Sequence, residues 1–100
     1  MPKGYWIVHI NVHDLELYKP YIAANQAPFR KFGARYLARI GTFEVVEGTG
    51  RERHVILEFP TYQAAHDCWH SPEYQAAIKL REPYSNADVV IVEGYEGAQP

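Results

Sequence analysis

A ferredoxin-like α+β fold is what this sequence predicts: βαββαβ, a four-stranded antiparallel sheet with two helices on one face. Three observations predict it. The hydrophobic period alternates between two residues and three-to-four residues in the order strand, helix, strand, strand, helix, strand. Firm stop and start signals separate the segments, among them Asp14, Gly33, Pro60-Thr61, Ser71-Pro72 and Pro83. The chain has 100 residues, enough for one core but not two, so residues 1–96 read as a single domain and 97–100 as a tail.

The first strand, Gly4 to Val12, puts Trp6, Val8, Ile10 and Val12 on one face and Tyr5, Ile7, His9 and Asn11 on the other. Asp14 offers an N-cap, and Leu15, Tyr18, Ile22, Phe29 and Phe32 then follow at helical spacing. Pro20 implies a helix that begins nearer Tyr18 or kinks there, Pro28 implies a second kink, and Gly33 ends the helix. Ala34 to Ile40 and Thr42 to Glu47 read as one long strand bent at Gly41, followed by a hairpin loop over 48–52. Arg53 to Phe59 is the third strand, with Val55, Leu57 and Phe59 opposing His54, Ile56 and Glu58. Thr61 caps a helix from Tyr62 to about His70, and Ser71-Pro72-Glu73 restarts it as far as Pro83. Asp88 to Tyr95 is the last strand.

Composition removes several function classes. A net charge of −2 without a Lys/Arg run disfavours nucleic acid and anionic membranes as partners. No apolar stretch approaches the roughly 20 residues that span a bilayer. The apolar run after Met1-Pro2-Lys3-Gly4 is broken by His9, Asn11 and His13, which is not a signal-peptide pattern. The one cysteine, Cys68, has no internal disulfide partner, so a cytoplasmic setting is expected. Eight tyrosines suit either partly wet pockets and interfaces or a small core filled by bulky groups.

Two helices cover one face of a sheet. The run Val89-Val90-Ile91-Val92 is apolar on both sides, and so is the first strand at Tyr5 and Ile7. A second copy of the same sheet is the simplest cover for the other face, which predicts a homodimer.

Several segments also carry a resemblance: Tyr18-x-x-Tyr21, Gly33-Ala34-Arg35-Tyr36-Leu37-Ala38-Arg39, Val55-Ile56-Leu57-Glu58-Phe59-Pro60, Ser71-Pro72-Glu73-Tyr74-Gln75 and Val92-Glu93-Gly94. Together they resemble the domain of unknown function 1330 family over nearly the whole chain. The resemblance implies a dimeric α/β barrel. That superfamily also holds cofactor-independent monooxygenases, muconolactone-isomerase-like enzymes and haem-binding members, and the family itself brings no settled activity.

With the even-numbered residues of the first strand turned to the helices, His9 and Asn11 point into the space between the two sheets, beside His54, Ile56 and Glu58. Arg39 and Glu93 are expected to join them. Such a set offers a proton-transfer group near neutral pH, carboxylates to orient it and a guanidinium for an anionic group. The reading adopted is a dimer that binds a small aromatic or acidic molecule there without catalysis. Tyr5, Ile7, Asn11, Arg39, His54, Ile56, Glu58 and Glu93 are its binding residues. The alternative is a cofactor-independent monooxygenase or isomerase with His9 as the catalytic residue. No cofactor and no metal are expected. His66-Asp67-Cys68-Trp69-His70 places two histidines on one helical turn, but it lacks the glutamate and third ligand of the zinc-protease pattern.

Overall fold

The computed structural model describes residues 1–100. The strands are β1 (Gly4–Val12), β2 (Arg35–Arg39), β3 (Arg53–Phe59) and β4 (Ser85–Glu93). They form one antiparallel sheet in the order β2-β3-β1-β4, with β1 and β3 central. Four helical segments cover one face: α1 (Leu15–Ala24), α2 (Gln26–Lys31), α3 (Tyr62–His70) and α4 (Pro72–Arg81). This is the ferredoxin-like arrangement, each of its two helices broken once.

The breaks follow local chemistry. Asp14 accepts from the Leu17 N–H and starts α1 at Leu15, with Pro20 inside it. The chain breaks at Asn25 rather than at Pro28, because Pro28 falls in the first turn of α2, where a proline is tolerated. Gly33 ends α2 at φ +76°, and the Ala34 N–H returns to the Phe29 carbonyl at 2.9 Å. Ser71 divides the second helix: its Oγ donates to the Cys68 carbonyl (2.7 Å) and accepts from the Tyr74 N–H (3.2 Å). One hydroxyl thus closes α3 and opens α4.

The core lies between sheet and helices and centres on Trp6. Its ring is within 5.5 Å, centroid to centroid, of Phe29, Phe59, Trp69 and Tyr74, and its indole N–H donates to the Ala65 carbonyl at 2.9 Å. Gly4 lets β1 approach α3: a Cβ there would sit 2.7 Å from both the Thr61 carbonyl oxygen and the Tyr62 Cα.

Three sequence expectations are corrected. The second strand stops at Arg39, and Thr42–Glu47 is exposed chain outside the ladder. Ile40 causes this: it bonds to the His54 carbonyl and then turns the backbone out of the ladder at φ 52°. The irregularity in β2 lies between Tyr36 and Ala38, not at Gly41. The last strand starts at Ser85 rather than Asp88, because Ser85, Asn86 and Ala87 pair with Val12, Asn11 and Ile10; it ends at Glu93.

Candidate functional site

Residues directly opposite one another in an antiparallel ladder share a face. The register sets Tyr5 against Glu58, Ile7 against Ile56 and His9 against His54 on β3, with Val92, Val90 and Asp88 as their partners on β4. Tyr5, Ile7, His9, His54, Ile56 and Glu58 therefore gather on the face away from the helices, as the sequence predicts, and Asn11 extends the row.

The polar groups there are mostly engaged. The Tyr5 hydroxyl donates to Glu58 at 3.2 Å, while Lys3 and Arg35 approach the same carboxylate at 3.4 and 3.6 Å. Asn11 accepts from the Glu52 N–H at 2.8 Å. The two Nδ1 atoms of His9 and His54 lie 2.7 Å apart, so one ring donates and the other accepts. Phe43, from the loop after β2, packs on His54 with ring centroids 4.6 Å apart, and His54 Nε2 is buried without a partner. These two histidines, Phe43, Arg51 and Asp88 line an open cleft of about 490 Å³.

Arg39 and Glu93 do not join this set. The irregularity at Leu37 leaves Tyr36 opposite Leu57 and Arg39 opposite Val55, both of which face the helices. Arg39 accordingly lies over the Tyr36 ring at 4.4 Å, and the ion pair to Glu58 comes from Arg35 instead. Glu93 stands opposite Gly4, whose absent Cβ points at Ala65 of α3, so it too belongs to the helix-covered side.

A second space lies on that covered side, between the sheet and the α1 and α4 helices. It measures about 60 Å³, well above the roughly 10–15 Å³ that one water requires. Trp6, Val8, Ile10, Val55 and Leu57 form its floor on the sheet. Tyr18, Tyr21, Tyr74 and Arg81 close it from the helices, and the exposed Arg39 and Ile40 stand at its edge, at and just beyond the end of β2. The Tyr21 and Tyr74 hydroxyls are 2.7 Å apart. Burial, then the neighbouring Tyr21, pushes the Tyr18 phenol up to about 12. The Arg81 side chain lies over the Tyr21 ring at 5.3 Å and is only 7% exposed. Burial works against its charge, but the Tyr74 and Tyr21 hydroxyls outweigh that and raise its pKa.

Sequence reasoning missed this cavity. Tyr18-x-x-Tyr21 and the tyrosine excess were visible signals; nothing marked Arg81, an ordinary basic residue in the last turn of a helix. Cys68 is fully buried and its thiol is pushed up to about 12 by desolvation, as befits a small core residue. His66 and His70 are exposed, their rings neighbours along α3 with centroids 4.4 Å apart and planes tilted by 40°.

The family model described as "Domain of unknown function (DUF1330)" matches residues 3–95. The chain belongs to the DUF1330 family. No curated protein matches this DUF1330 chain. Among solved structures it is similar to a protein of unknown function from Rhodopseudomonas palustris, with TM-score 0.74 and 16% identity over 96% of this chain and 85% of that one. It is also similar to SnoaB, a cofactor-independent oxygenase from Streptomyces nogalater (TM-score 0.65, 11% identity, 100% and 97% covered). A third is a dimeric ferredoxin-like protein of unknown function from Thermobifida fusca (TM-score 0.61, 11% identity, 92% and 91% covered). At these identities the likeness is one of fold. No helix of the chain is long and apolar enough to cross a membrane.

Proposed function

We propose that this DUF1330 protein is a homodimer joined through the outward face of its sheet, each protomer binding a small planar molecule between its own sheet and helices. The observation that carries the reading is the cavity beside Trp6, whose apolar floor and few convergent polar groups have the composition of a ligand site. The outward cleft is larger, but loop residues 43–51 make most of its wall and it opens on the face that a partner would cover. Ile7, Ile56, Val90 and Val92 form an apolar row on that face, with Val90 55% exposed. The Thermobifida protein, described as dimeric and ferredoxin-like, supports the dimer.

A second reading has one observation in its favour. His9 and His54 share a single hydrogen-bonded contact in the outward cleft, a geometry that suits proton transfer, and SnoaB shows this fold carrying oxygenase chemistry. In that reading a small aromatic or acidic substrate sits between the paired sheets against Tyr5, Ile7, Asn11, Ile56 and Glu58. His9→Ala then abolishes its turnover while the dimer persists.

Chemical-shift mapping with benzoate and benzamide separates the two. Shifts centred on Trp6, Leu57 and Tyr21 are expected. Shifts centred on His9, His54 and Phe43 would overturn the cavity assignment in favour of the outward cleft.

A further inference from the structure

We propose that the natural ligand of the helix-side cavity is a small planar carboxylate whose charged oxygens meet Arg81. This deepens the function proposed above and rests on it. Arg81 as a residue is only 7% exposed, and it lines the cavity. Each ion pair of the chain employs another cation, namely Lys3, Lys19, Lys31, Arg35 or Arg51, so no Asp or Glu lies within ion-pair distance of Arg81. Its polar company is the phenol oxygens of Tyr74 and Tyr21.

A largely buried cation is costly to hold unless an anion or a full set of acceptors compensates it. A guanidinium carries five N–H donors in a planar fork, and two phenol oxygens that already bond to each other cannot occupy them all. A carboxylate matches the fork with two parallel hydrogen bonds and neutralises the charge. The phenol hydroxyls can then donate to its remaining lone pairs. Planarity follows from the walls: the cavity runs beside the rings of Trp6, Phe29, Tyr36 and Tyr74, which favour a flat body stacked or set edge-on. Arg39, stacked on Tyr36 at the edge, stands where the far end of such a ligand would emerge.

The test uses benzoate and its neutral isostere benzamide, titrated into the full chain at neutral pH and followed by the Trp6 indole N–H resonance. Benzoate is expected to bind at least tenfold more tightly than benzamide. Arg81→Gln is expected to bring the two within threefold, and Arg81→Lys to recover only part of the preference. Equal binding of both probes in the native chain overturns the anion inference and leaves the cavity reading standing. If neither probe moves the Trp6 signal at millimolar concentration, the cavity reading fails and takes this inference with it. The native-chain comparison decides the matter even if an Arg81 variant fails to fold.

Discussion

Trp6 illustrates what one residue fixes in this molecule: its ring binds sheet to helices, and its indole N–H locks β1 to α3 at Ala65. Gly4 permits that approach, so Gly4→Ala must displace backbone atoms of α3. We expect a loss of about 1–3 kcal/mol, read as a lower urea midpoint with an unchanged slope. Alkaline pH probes the same core. Cys68 and Tyr18 are held neutral by burial, both pushed up to about 12 from ordinary values of 9.0 and 10.0. The folded state therefore keeps protons that the unfolded chain gives up, and stability falls as pH rises above 9, then more steeply above 10. The slope is at most about 1.4 kcal/mol per pH unit for each group. Melting temperatures from pH 8 to 11 should show this decline, with Cys68→Ala delaying its onset by about one unit. A flat profile would contradict the assignment. Facing was legible at this scale wherever alternation was regular: His9, His54 and Glu58 stand where a period of two puts them. Arg39 was not legible, because one extra residue at Leu37 reverses the parity of everything beyond it.

Elements bounded by strong local chemistry were read correctly from sequence. The third strand ends at Pro60 as expected, and α3 starts behind the Thr61 hydroxyl, which accepts from the Ala64 N–H. Ser71 serves two helix ends with one buried hydroxyl. Ser71→Ala is accordingly expected to cost about 1–2 kcal/mol in thermal unfolding, and Ser71→Gly to cost less, since glycine is itself a favoured N-cap. The end of β2 was not legible, because no composition rule places a β-branched residue in a left-handed conformation. Ile40 at φ 52° holds that strain, and its side chain is 47% exposed. Ile40→Gly should relieve it and raise stability by about 1 kcal/mol, an outcome visible as a higher melting temperature. A lower one would mean that the contact of Ile40 at the cavity edge outweighs its backbone strain.

At the scale of the whole molecule, one side of the sheet explains itself and the other does not. The helix-covered face carries the core, while the opposite face presents Ile7, Ile56, Val90 and Val92 between Glu58 at one end and the histidine pair at the other. Doubly apolar β4 was the part of this legible in the sequence; the cavity was not, because it depends on how three helical segments and four strands enclose space. If a twin sheet covers the outward face, burial of that apolar row drives association, and a charge placed within it must oppose association without touching the core. Val90→Glu is the cleanest such change, since Val90 lies on central-to-edge pairing with Ile7 and is half exposed in the protomer. We expect the native chain to sediment at twice its 11.5 kDa mass and its melting temperature to rise with concentration. The variant should sediment at 11.5 kDa, lose the concentration dependence and retain the near-ultraviolet signature of the Trp6 cluster. A native chain that remains at 11.5 kDa at micromolar concentration would leave the outward cleft open to solvent, remove the between-sheet chamber from consideration, and leave the Arg81 cavity as the binding site of a monomer.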